Sequence, residues 1–170
     1  MRRILIENKE IDPKDCSYGF PWKYDSICFN FRMPEELVLA SDIDKIPDMS
    51  DIEAVVIGCD LDDYSFISRM ENLKILYIYS GENIKELSFL QGLTNLRQLN
   101  IVKSHVENLD ALVRLMKEQK KIWNAMDVRE RVVFGLDAIN IESDKELDGE
   151  VLKTPDLYVT EMRLGRKRIR

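Results

Sequence analysis

Apolar residues recur at every third position over three successive stretches of this chain. The first runs through Leu61, Tyr64, Ile67, Met70 and Leu73, the second through Ile84, Leu87, Leu90, Leu93 and Leu96. The third runs through Val106, Leu109, Leu112 and Leu115. Each copy includes a short alternating segment: Ile52, Val55 and Ile57, then Leu73, Leu76 and Ile78, then Leu96, Leu99 and Ile101. The copies repeat every 21 to 23 residues. A fixed period of this length predicts stacked structural units that share one continuous core.

The internal rhythm indicates how each unit is built. Alternation predicts a short strand with every second side chain inward. Steps of three suit a 3-10-like or extended return path, because residues i and i+3 eclipse in 3-10 geometry. One unit cannot bury its own apolar edge, so successive units stack. Each ladder leucine then contributes about 1.5–3 kcal/mol by burial. A fourth, shorter copy precedes these: Leu37, Leu39 and Ile43 stand 18 residues before Val55, Ile57 and Leu61. The repeat region is therefore read as residues 36–115, about three and a half units within a single domain.

The stretch from Ile84 to Ile101, with Leu87-Ser-Phe-Leu90 at its centre, resembles the leucine-rich repeat of the bacterial internalin-type subclass. Tyr64-Ser-Phe-Ile67 and Leu109-Asp-Ala-Leu112 are further versions of the same motif. The resemblance covers about half the chain. It implies an α/β fold: a short right-handed solenoid with a parallel sheet on its concave side and a 3-10-like or irregular convex side. Where the family places asparagine after each strand, this chain has Asp60 and Ser104.

Both ends are expected to be caps. Residues 1–35 form an N-terminal β cap holding an aromatic cluster of Tyr18, Phe20, Trp22, Tyr24, Phe29 and Phe31, with Ile27, Phe29 and Phe31 alternating as a strand. Residues 116–170 form a C-terminal α+β cap. Its helical pattern through Leu112, Met116, Trp123 and Met126 runs to about Phe134, and Gly135 is a plausible stop. Strands at Ala138–Ile141 and Leu157–Val159 follow, then a small hairpin turning at Gly165.

Composition narrows the function. At 170 residues, 45% apolar and 33% charged, the chain can build a real core. No apolar run approaches the roughly 18 residues needed to span a bilayer. Arg2 and Arg3 are not followed by a signal-peptide core, so a cytoplasmic protein without membrane association is expected. Cys16, Cys28 and Cys59, odd in number and irregularly spaced, read as reduced structural thiols. The net charge is −6, yet five of the basic residues crowd between Arg163 and Arg170. The remainder therefore carries −11, the total less those five positive charges. An acidic body disfavours nucleic acid, while the basic tail leaves a nucleic-acid binder as one alternative reading.

No phosphate-binding glycine loop, no His-Glu-x-x-His and no Gly-x-Ser-x-Gly occurs. The single histidine, His105, falls in a loop just past a strand and reads as solvent-facing. Asp60, Asp62, Asp63 and Glu71 imitate part of a calcium loop, but Tyr64 and Ser65 occupy a ligand position and the turn glycine position. Asp48, Asp51 and Glu53 read as a solvated face. Neither metal nor cofactor is expected, and the chain is read as noncatalytic. An enzyme with its site in the C-terminal third, from about Ile122, is the remaining alternative.

The positions expected to point outward from the concave sheet predict a partner-binding patch. Val56, Ile75, Tyr77, Tyr79 and Val102 give it an apolar, aromatic centre, and Gln98, Asn100 and Lys103 a polar rim. Tyrosine-rich, charge-poor patches with polar rims are characteristic of interface centres. A protein partner is thus expected, with Tyr77→Ala losing binding but leaving the melting temperature nearly unchanged. The competing readings bury the same patch, under the chain's own C-terminal strands or in a symmetric homodimer.

Overall fold

The computed structural model describes residues 2–15, 34–131, 134–153 and 161–164. Its centre is one open sheet of seven strands: β1 (Arg2–Glu7), β2 (Glu36–Leu39), β3 (Ile52–Ile57), β4 (Ile75–Ile78), β5 (Gln98–Ser104), β6 (Ala138–Ser143) and β7 (Glu161–Leu164). The spatial order is β2-β1-β3-β4-β5-β6-β7, and all six pairings are parallel. Every strand therefore ends on the same edge of the sheet.

The steps of three in the sequence coincide with backbone hydrogen bonds of the same span. Ile67, Met70 and Leu73 each donate from the backbone N–H to the carbonyl three residues earlier, at 2.9–3.1 Å. Leu90, Leu93 and Leu96 repeat this pattern one unit on. Short 3-10 turns at Ala40–Lys45, Ser65–Arg69 and Ser88–Leu90 lie within these paths. Eclipsed i and i+3 side chains consequently point together, and every ladder residue from Leu61 to Leu115 is buried. They join the inward strand positions Ile4, Ile6, Val55, Leu76, Leu99 and Ile139 in one core.

In the connection between β5 and β6 the turn gives way to a helix. Helix α1 (Asp110–Ala125) buries Leu112, Leu115, Met116 and Gln119 against that core. It ends at Ala125, short of the expected Phe134. Met126 is already extended at ψ 153°, and Trp123 is stacked by the Arg131 guanidinium at 4.4 Å. Just beyond Ala125, Met126 is only partly buried and Val128 is exposed, so neither extends the buried stripe. Gly135 instead takes φ +93° in the loop that leads to β6.

The first strand lies where stacking of the repeats alone would not put it. Those units would set β2 directly beside β3, with residues 1–35 as a terminal cap. Instead β1 is inserted between them: Leu5 stands opposite Leu37 on one side and Val56 on the other. Ile4, Leu5 and Ile6 are fully buried, which accounts for the drive to the interior. Charge holds the position from both flanks. Arg2 contacts Glu36 of β2 at 2.7 Å and Asp51 before β3 at 3.3 Å, while Arg3 pairs with Glu35 and lies 4.0 Å from Glu53.

At the other end β6 confirms the alternating Ala138–Ile141 segment, and β7 adds in parallel with Met162 opposite Ile139. The aromatic cluster from Tyr18 to Phe31, the strand at Leu157–Val159 and the turn at Gly165 fall outside the described residues.

Candidate interaction surface

Two registers of side chains run across the sheet face opposite the main core. One row passes through Ala54, Ile75, Gln98 and Ala138, the other through Leu5, Val56, Tyr77, Asn100 and Asn140. These rows hold most of the patch expected from the sequence. They are not accessible: Val56 is 1% exposed, Ile75 and Tyr77 2%, Gln98 3% and Asn100 0%. Leu5, Ala54, Val56, Ile75, Tyr77 and Ala138 instead form a second apolar cluster, with Ile11, Leu37 and Tyr79 packed against it. The expectation of an exposed concave centre is thus corrected. Alternation correctly separates the two faces of a strand, but says nothing about whether the second face is covered.

Polar groups within this face bond to one another. Tyr77 donates its hydroxyl to Gln98 Oε1 at 3.0 Å, and Asn140 Nδ2 donates to Asn100 Oδ1 at 2.6 Å. Tyr79 meets the Tyr77 ring edge-on, with centroids 6.4 Å apart. Hydrogen bonds of this kind between side chains help to fix the register of neighbouring strands, while Asn100 Nδ2 finds no partner among the described residues.

Three of the eight expected residues do reach solvent, and they stand together where the strands end. Tyr79 and Val102 are half-buried and Lys103 is exposed. Lys103 adopts φ +57°, a left-handed conformation uncommon for a non-glycine residue. It lies where the register between β5 and β6 shifts, between Ile101 and Ser104. The resulting bulge turns the Lys103 side chain away from the regular pleat.

The two edges of the sheet differ in charge. Where strands begin, acids and bases neutralise each other: Arg2 with Glu36, Lys74 with Glu53 at 3.7 Å, and Arg97 with Asp137 at 2.5 Å. Where strands end, carboxylates project from the turns. Asp60, Asp62 and Asp63 follow β3, Glu82 and Glu86 follow β4, and Glu107 follows β5. Two shallow grooves of about 750 and 670 Å³ flank the ridge Asp62–Ser68.

The calcium-like stretch is explained by local hydrogen bonds. Asn83 Nδ2 donates to Asp60 Oδ2 and to the Leu61 carbonyl, both at 3.1 Å. Tyr64 accepts from the Leu61 N–H and donates to the Ser80 carbonyl, each at 3.1 Å. Burial pushes its phenol up to about 12. Among the described residues no cluster of His, Cys, Asp or Glu could hold a metal ion.

His105 is not simply solvated: its Nδ1 lies 2.9 Å from Asp144 Oδ2, tying the loop after β5 to that after β6. Asp48 and Ser50 form a local turn, Asp48 accepting from the Ser50 N–H and hydroxyl. Cys59 is a buried free thiol pushed up to about 11, chiefly by burial, so little reactive thiolate forms at neutral pH. Cys16 and Cys28 lie outside the described residues.

One device escaped the sequence reading. Asn72 Nδ2 donates to the Ser50 carbonyl at 2.7 Å, and Asn95 Nδ2 donates to the Glu71 carbonyl at 3.2 Å. Gln119 continues the series, donating to the Thr94 and Leu96 carbonyls and accepting from the Leu136 N–H. These amides precede the strands, whereas the expected family asparagines follow them. Their spacing of 23 and 24 residues was the available signal.

Comparison with protein-family models, curated proteins and solved structures returns no match to this chain. No helix among the described residues is long and apolar enough to cross a membrane.

Proposed function

We propose that this chain is a noncatalytic leucine-rich-repeat module that binds a protein partner along the edge where its strands end. Two features support the repeat assignment: the coincidence of the three-residue ladder with i-to-i+3 hydrogen bonds, and the series of amides reaching back one unit. The observation that carries the binding reading is the grouping of Tyr79, Val102 and Lys103 on one accessible rim. Aromatic and aliphatic contact area beside a charged side chain is the composition of an interface centre meeting its rim. A rigid parallel sheet beneath them limits the entropy lost on association.

The test is affinity capture from a lysate of the source cells, comparing the wild type with Tyr79→Ala/Lys103→Glu. A protein retained by the wild type and lost from the variant is the expected result. Identical capture lists from two equally folded proteins overturn the proposal.

A further inference from the structure

His105, the one histidine of the chain, stands where three successive units meet at the edge on which the strands end. Its backbone N–H donates to the Ile84 carbonyl, after β4, at 2.9 Å. Its Nδ1 lies 2.9 Å from Asp144 Oδ2, after β6. It is also two residues beyond Lys103, whose φ of +57° marks the bulge at the accessible rim.

That bulge is pinned on both flanks. On one side the Gly81 N–H donates to the Val102 carbonyl at 3.0 Å. On the other, Ser104 and Ser143 stand opposite each other in register, and each donates its hydroxyl across to the other segment. Ser104 Oγ reaches the Glu142 carbonyl and Ser143 Oγ the Val106 carbonyl, both at 2.7 Å. The Asp144 N–H adds a bond to the Ser104 carbonyl at 3.3 Å. All of these groups are neutral, so the bonds are indifferent to pH near neutrality.

The contact between His105 and Asp144 is different in kind, because imidazole is the side chain whose charge changes between about pH 5 and 8. Its partner does not change in that window: the His105 ring holds the Asp144 carboxyl below the usual carboxylate range. Lys145 lies 4.0 Å from the same Asp144 oxygen and keeps a cation beside it when the imidazole is neutral. The other charged side chains on the adjoining segments are Lys103, Glu107, Lys85, Glu86 and Glu142, and none forms an ion pair with the ring.

We infer that His105 and Asp144 form a pH-sensitive clasp across the strand ends. Protonation of the imidazole turns a hydrogen bond into an ion pair, which draws the loop after β5 onto the loop after β6 and holds the Lys103 bulge between them. Loss of that proton leaves the bulge to the serine pair and Gly81. The rim carrying Tyr79, Val102 and Lys103 is therefore held more firmly at mildly acidic than at mildly alkaline pH. The inference rests on the reading of this rim as the interaction surface and adds its regulation.

The test is hydrogen exchange of the protein alone, followed at the His105 and Asp144 amides, both of which bond across loops. Their protection factors, which already remove the intrinsic pH dependence of exchange, should be about two- to fivefold higher at about pH 5.5 than at about pH 8, the range an exposed ion pair supports. Leu76, fully buried in β4, is the control and should not share the change. His105→Gln and Asp144→Asn each keep a hydrogen-bonding side chain, and each should abolish the difference. Salt at about 1 M should reduce it by screening. The inference is overturned if protection is equal at the two pH values, or if Leu76 changes as much. It is overturned equally if Asp144→Asn retains the full difference. The underlying reading of the rim fails separately, through the Tyr79/Lys103 capture experiment.

Discussion

Arg97 Nη2 and Asp137 Oδ2 stand 2.5 Å apart at the threshold of two neighbouring strands, with 8% and 13% of their side chains exposed. The Arg97 carbonyl also accepts the Asp137 N–H at 2.9 Å, so backbone and side chains join β5 to β6 at one point. Burial pushes the Asp137 carboxyl upward, and the neighbouring guanidinium only partly opposes this.

Removing one partner of such a pair strands the other. Arg97→Met should destabilise the protein by about 3–5 kcal/mol, and adding Asp137→Leu should recover most of the loss. The pH dependence has a definite sign. A carboxyl raised in the folded state binds its proton more tightly there, so its contribution is present at low pH and is lost as pH rises through the raised value. The deficit of Arg97→Met should accordingly shrink on acidification from neutral toward the carboxylate range. Urea unfolding of the three proteins across that range measures it, and a deficit independent of pH contradicts the account.

Tyr77 and Tyr79 lie on the same strand path and meet edge-on, yet only Tyr77 is core. Tyr77→Ala should cost about 3–5 kcal/mol, as for other large-to-small changes in a core, and leaves Gln98 without its phenol partner. Tyr79→Ala should cost less than half as much while abolishing partner capture. Thermal melts of the two variants decide between this and the sequence expectation, which made Tyr77 a surface anchor.

At Lys103 the backbone and the side chain can be tested apart. Lys103→Gly should fold at least as stably as wild type, because glycine adopts φ +57° without penalty. Lys103→Val should lose about 1–2 kcal/mol, since a β-branched residue is poorly tolerated in that conformation. Both remove the cation, so both should weaken partner capture whatever their stability.

The amide series predicts small but distributed losses. Asn72→Ala and Asn95→Ala should each cost about 0.5–1.5 kcal/mol, the net worth of a hydrogen bond to a part-buried carbonyl. The two bonds involve no shared group, so the double variant should show the sum. Denaturant midpoints for the set would reveal any departure.

The repeat was legible because its cause is local. Steps of three reflect a three-residue hydrogen-bond span, and every leucine that kept the step proved to be buried. The inward strand positions followed from alternation alone. Three other features depended on information that is not local. The insertion of β1 is set by Arg2 and Arg3 finding acids on two strands that are distant in sequence. The burial of Val56, Ile75 and Tyr77 depends on what else in the chain packs against that face. Past the helix end at Ala125, Met126 is only partly buried and Val128 is exposed, where the pattern had been extended on weaker matches. Of the predicted surface, only its outer end survives, in Tyr79, Val102 and Lys103.

The place of β1 also governs the order in which the fold can be completed. In a stack built unit upon unit, assembly proceeds from one end, each new strand finding its neighbour already in place. Here β1 precedes both of its neighbours along the chain, Glu36–Leu39 and Ile52–Ile57. Loop-closure entropy makes such a wait costlier than pairing β3, β4 and β5, whose contacts are nearer in sequence. The stretch from β3 to β5 is thus the first part able to assemble, and β1 locks the near edge only once β2 has arrived.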